Sequence, residues 1–85
     1  IAEFPIQAGT APHHIVAGND GNLWFTDFLA NNVGRITTSG GYTLFPLGSG
    51  AAPTGITSAA DGNIWFAMFT RHRIGRLAPI GPTPT

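Results

Sequence analysis

The chain has 85 residues, four basic and four acidic side chains, a pI near 7.0 and no cysteine, which allows at most one domain, excludes a disulfide framework or a cysteine-based zinc site, and leaves the compartment open. The charge balance argues against a nucleic-acid or acidic-lipid partner. The longest apolar run, Ile64 to Phe69, is far short of the roughly 18 residues of a membrane span, so a soluble protein is expected.

Taken in chain order, Ile1–Ile6 is strand-like. His14–Ala17 is the next strand, ended by Asn19-Asp20-Gly21, a strong hairpin signal. Asn22–Phe28 follows, and its consecutive apolar residues Leu23-Trp24-Phe25 predict a strand covered on both faces. A turn at Ala30–Asn31 leads to the strand Asn32–Thr37, and Thr38-Ser39-Gly40-Gly41 turns into the strand Tyr42–Leu47. Asn63–Phe69 and Arg73–Ala78 are strands of the same kind. No segment carries apolar residues at helical spacing for two turns without Gly or Pro, and 12 Gly and 7 Pro read as tight turns.

The order repeats. Residues 42–82 superpose on 1–41 without a gap: Phe4-Pro5 meets Phe45-Pro46, Ala11-Pro12 meets Ala52-Pro53, Asp20-Gly21-Asn22 meets Asp61-Gly62-Asn63, Trp24-Phe25 meets Trp65-Phe66, and Gly34-Arg35 meets Gly75-Arg76. A period near 41 residues with four short strands per repeat predicts an all-β fold, a β-propeller of four-stranded antiparallel blades with two blades per chain. Ile1–Ile6 corresponds to a fourth strand without its first three, and the closing Pro79-Ile80-Gly81-Pro82-Thr83-Pro84-Thr85 offers no fourth strand. The start at Ile1 without methionine reads as a processed product or an excerpt. A bare strand edge is avoided in natural proteins, so the expectation is strand exchange: Ile1–Ile6 of one copy completes the last blade of its neighbour, and the chain's partner is itself. The resulting head-to-tail ring is a six-bladed homotrimer by preference, or an eight-bladed homotetramer.

Few residues stand out as chemistry. His13 and His14 sit at the innermost strand, beside the channel mouth of a propeller, where copies in a ring could gather a small molecule, a metal or an anion; the alternative is a pair of polar loop residues. Asp20 and Asp61 are explained by their turns. Asp27 lies within a strand, where Asp is depleted, and is the better candidate. Arg35 and Arg76 recur and are expected to bridge adjacent blades, His72 to sit in a solvated turn, and Trp24, Trp65, Phe25 and Phe66 to form the interblade core. No Gly-rich phosphate loop or Ser-His-Asp order can be assembled.

The stretches APHHI, GNLWFTD, NNVGRITTSG, APTGI, DGNIWFAM and RIGRL resemble the repeats of the streptogramin B lyases (virginiamycin B lyases), over nearly the whole chain to about Ile80. The resemblance implies a propeller and an enzyme that opens cyclic depsipeptide antibiotics by elimination, a carbon–oxygen lyase using a histidine base, acidic residues and Mg²⁺. It would place His13 and Asp27 in catalytic positions and, with His14, Phe28 in a ligand-binding one. By the resemblance, Thr54 stands where the family has its key histidine, and Phe69 where it has a catalytic acid, so the catalytic set is not intact. The resulting expectation is a self-assembling propeller module with no resident metal or cofactor; a lyase, with Mg²⁺, or a lectin-like binding ring is the alternative.

Overall fold

The computed structural model describes residues 1–78. Seven strands run in order: β1 (Pro12–Ala17), β2 (Leu23–Asp27), β3 (Asn32–Ile36), β4 (Tyr42–Pro46), β5 (Pro53–Ser58), β6 (Ile64–Met68) and β7 (Arg73–Leu77). They form two antiparallel meanders, β1-β2-β3-β4 and β5-β6-β7, and β5 lies against β1 and β2. Among the described residues no helix is long and apolar enough to cross a membrane. The expectation about Pro79–Thr85 lies outside the described residues.

Each sheet presents two apolar faces because alternation along a strand sends successive side chains to opposite sides. Cross-strand pairing places Val16, Trp24 and Arg35 in one row, and Thr26, Val33 and Phe45 in another on the same face. This back face of the first sheet meets the second sheet. The opposite, front face carries Ile15, Phe25 and Gly34 in one row and Leu23 with Ile36 in another. Trp24, Val33, Ile64 and Phe66 form the buried core between the sheets, with Phe45, Leu47, Ile56 and Leu77 packed on it. Burying one such side chain contributes about 1.5–3 kcal/mol, so this interface dominates stability.

The repeated Gly-Arg pair has a local cause. The Phe25 ring lies flat over Gly34 and the Phe66 ring over Gly75, so that a Cβ at either glycine would overlap the ring. The neighbouring arginines turn to the other face. Arg35 lies 5.6 Å over the Trp24 ring and 5.7 Å over Phe45, and Arg76 5.6 Å over Trp65. These cation–π stacks are within each sheet, which corrects the expectation that the arginines bridge blades.

The Asp-Gly turns are equally explicit. Asp20 Oδ1 accepts the Asn22 N–H at 3.1 Å and the Trp24 Nε1–H at 3.1 Å, and Oδ2 accepts Asn22 Nδ2–H, while Gly21 takes a positive φ of 84° that costs glycine little. In the second sheet Asp61 binds Asn63 in the same way, yet the Trp65 Nε1–H is buried without a partner. Gly18 explains the difference. A Cβ there would come within 2.6 Å of the Trp24 indole, and its repeat equivalent is Ala59.

Ile1–Ile6, expected as a strand, forms none within the chain. β4 and β7 each leave an outer edge unpaired among the described residues, and the segment lies instead over the front face of the first sheet, with Phe4 beside Gly40.

Gly34→Ala should lower stability by about 1–3 kcal/mol in urea unfolding through overpacking against Phe25. Gly55→Ala, with nothing within 4 Å of the added methyl, should stay within about 0.5 kcal/mol. For acid sensitivity, burial raises the Asp20 carboxyl but the bonds from Trp24 and Asn22 outweigh it and hold it below the usual 3.8. The Asn63 N–H is the largest influence on Asp61, which is likewise lowered. A carboxyl depressed in the folded state adds stability above its unfolded value, lost as pH falls through the folded one. The urea midpoint should therefore drop below about pH 4, and the Asp20→Asn, Asp61→Asn double variant should show a shallower drop.

Candidate functional site

The two histidines are set by a bulge. Pro12 pairs with Asp27 and Ile15 with Phe25, so His13 and His14 together face the single residue Thr26. An extra residue of this kind kinks the strand and redirects side chains. The same irregularity recurs at Thr54-Gly55 opposite Ala67. β1 is an edge strand of its sheet, so the first bulge presents both imidazoles outward; both residues are exposed. Their ring centroids lie 4.4 Å apart in an edge-on arrangement, and His13 lies 5.9 Å from the Phe28 ring. His13 and His14 line a groove of about 280 Å³ together with Phe4, Ile6 and Phe25, and Phe28 lies beside His13 outside that lining.

Thr26, fully buried, holds this geometry. Its Oγ1 accepts the His14 N–H at 3.2 Å and donates to the Thr54 carbonyl at 2.7 Å. One hydroxyl therefore supports one bulge and ties it to the next. Nothing in the sequence marked Thr26 out, since threonine is ordinary in strands; only the absence of a hydroxyl at the equivalent Ala67 hinted at a special role.

Asp27 is also fully buried. Oδ1 accepts the N–H groups of Ala11 at 2.9 Å and Ala30 at 3.2 Å, and Oδ2 accepts Asn32 Nδ2–H at 3.0 Å. The carboxylate fastens the incoming chain and the β2–β3 turn to the sheet. Both of its oxygens are turned to protein N–H groups, so it does not fit a magnesium ligand, and no three His, Cys, Asp or Glu side chains converge on a metal position among the described residues. Asn31, at φ 62°, links the sheets: its Oδ1 accepts the Ala52 N–H at 2.8 Å and its carbonyl the Leu47 N–H at 2.9 Å. His72 occupies the matching turn of the second sheet at φ 53°, and the adjacent Arg71 donates to the Ser49 carbonyl at 3.0 Å.

The virginiamycin B lyase family model matches residues 1–83. A streptogramin B lyase structure superposes with a TM-score of 0.89 at 39% identity, over 98% of this chain and 31% of that one. Virginiamycin B lyase from Staphylococcus aureus gives 0.82 at 40% identity, over 88% and 26%. A catalytically inactive variant of the latter enzyme, with quinupristin, gives the same values. No curated protein matches. The chain spans under a third of the length of these structures. It belongs to the virginiamycin B lyase family, and its two sheets are β-propeller blades.

Thr26→Val keeps the side-chain shape and removes both bonds. It should destabilise the chain by about 1–3 kcal/mol, because a buried carbonyl and an N–H lose their partner. The His14 amide should also exchange with solvent faster in hydrogen-exchange measurements, more so than amides of β3.

Proposed function

We propose that this member of the family works as a two-blade unit of a closed β-propeller completed by further copies of itself. The back face of the second blade docks on the front face of the next copy's first blade, and Ile1–Ile6 adds to the β7 edge as a fourth strand. The observation that carries this reading is the unequal burial of equivalent residues. Val33 and Trp24 are fully buried at the internal interface, whereas Ile74, the repeat equivalent of Val33, is 68% exposed, and Trp65 is only half-buried. On the front face of the first blade, over which Phe4 and Ile6 lie, Ile15 is still 60% exposed, while its equivalent Ile56 packs on the core. The front face of the first blade and the back face of the second therefore carry the two halves of an interface already built once within the chain.

The contact is heterologous, so repetition closes a ring; three copies give six blades, and four give eight. The inner-edge bulges then surround the axis, and each copy contributes His13, His14 and Phe28 to a mouth suited to a small molecule. The role is structural and recognitional.

A second reading, action as a carbon–oxygen lyase on cyclic depsipeptides, is favoured by the His13–Phe28 placement at that mouth. In such an elimination a neutral imidazole takes the proton from Cα, the electron pair left there forms a Cα=Cβ double bond as the Cβ–O bond breaks, and the ester oxygen leaves as part of a carboxylate. His13 is the base available for that step, since Thr54 fills its position in the second blade.

Sedimentation at micromolar concentration should give three or four times the 8.9 kDa chain mass. Ile74→Arg or deletion of Ile1–Ile6 should yield a monomer, and a wild-type monomer at all concentrations would overturn the ring. For the lyase reading, incubation with quinupristin should release a linear product that His13→Ala abolishes; no linear product from wild type ends that reading.

A further inference from the structure

Resting on the ring reading above, we infer that Ile1–Ile6 is an intrachain plug, which holds the docking face of the free chain and leaves it when a second copy binds. Phe25, on the front of the first blade, and Phe66, on the front of the second, are equivalent and only 4% and 5% exposed. Phe66 is covered by the first blade, since it packs in the core between the sheets. No blade covers Phe25. Phe4 and Ile6 line the groove beside it instead, together with Ile15 and Ile36. The leading segment thus stands in for the missing blade.

Its hold is light. Among the described residues the segment forms no strand and makes no backbone hydrogen bond. Phe4 remains 50% exposed, and Ile6 is half-buried. The contact is apolar: Phe4 packs against Gly40, where an added Cβ would come within 2.8 Å of the ring. A segment held by few apolar contacts and no ladder bonds opens at low cost.

The repeat supplies its second seat. Phe4 is equivalent to Phe45, and Ile6 to Leu47. Phe45 stacks on Trp24 at 5.6 Å, and Arg35 lies 5.7 Å over it; Leu47 packs on the core. Trp65 carries the matching arginine, Arg76 at 5.6 Å, but has no aromatic ring stacked on it among the described residues. On the β7 edge of another copy Phe4 completes that stack. The unpaired edge of β7 also offers the main-chain bonds that the first seat lacks. The front face has to be clear for the other copy's second blade, so the departure that uncovers it also delivers the fourth strand. A competent state that is only fractionally populated slows association and weakens apparent affinity by that fraction.

The test mixes two full-length variants, each blocked at one face. Ile74→Arg, at a position 68% exposed, removes the back face of the second blade and keeps the front face and the segment. Ile15→Arg, at a position 60% exposed, removes the front face and keeps the back face and the β7 edge. Alone neither forms a ring; together they form a one-to-one pair, followed by stopped-flow tryptophan fluorescence. With the Ile15→Arg chain in excess, the observed rate should level off as its concentration rises, at the rate of segment release. Adding Phe4→Ala to the Ile74→Arg chain should raise that plateau about tenfold. It should also speed dissociation of the pair, since Phe4 serves both seats. A rate that stays proportional to concentration throughout, or a plateau unmoved by Phe4→Ala, would overturn the plug while leaving the ring intact. No pair at any concentration would overturn the ring reading and the plug with it.

Discussion

A sheet that is apolar on both faces has to be covered on both, and this constraint organises the molecule. Two blades have four faces, and packing one blade on the other covers two. At the covered pair, Trp24, Val33 and Ile64 have no exposure at all. Of the other two, the back of the second blade leaves Ile74 open to water, and the front of the first leaves Ile15 open although Phe4 and Ile6 lie over it. Apolar faces of this sort mark interaction surfaces, and here their chemistry is that of the interface already formed.

The repeat sequence serves that double coverage. Phe and Trp at consecutive positions of β2 and β6 go to opposite faces, and each needs a different neighbour. The Phe ring lies on a glycine of the adjacent strand, and the Trp ring receives the arginine that follows it. The Asp-Gly-Asn turn ends the preceding strand and, where Gly18 leaves space, also receives the indole N–H. Each element of the repeated motif thus answers a packing or hydrogen-bonding need on one face.

Most of this was legible in the sequence. The 41-residue period, the turn residues and the two-faced apolar runs place six of the strands closely, and Trp24, Phe25 and Phe66 are buried as periodicity suggests. What periodicity cannot express is side-chain direction after an extra residue. The bulge at His13-His14 follows from pairing across β1 and β2, and pairing is not written in either strand alone. The buried roles of Thr26 and Asp27 depend on loops that return from elsewhere in the chain, to Thr54 and Ala11. Ile1–Ile6 reads as a strand on its residues, but a strand exists only beside a partner edge, and local sequence carries no information about that edge.

Where the two repeats agree, the shared residues make a blade; four of the differences fall together at one rim. His13 and Thr54, Thr26 and Ala67, Asp27 and Met68, and Asn31 and His72 are equivalent positions that surround the bulge and the turns beside it. In the first blade these residues form a hydrogen-bonded set: Asp27 caps the entrance, Thr26 holds His14 and reaches across to Thr54, and Asn31 caps the next entrance. In the second blade Ala67 and Met68 remove the hydroxyl and the carboxylate, so that rim has fewer internal bonds to hold it. A blade that satisfies its own rim presents fixed groups at the mouth. One that does not satisfies it from the blade beside it, as Ala52 does from Asn31. The asymmetry therefore makes the two rims unlike: in the first blade hydrogen bonds from Thr26 and Asp27 fix the strand that carries His13 and His14, and in the second the equivalent Ala67 and Met68 leave that support out.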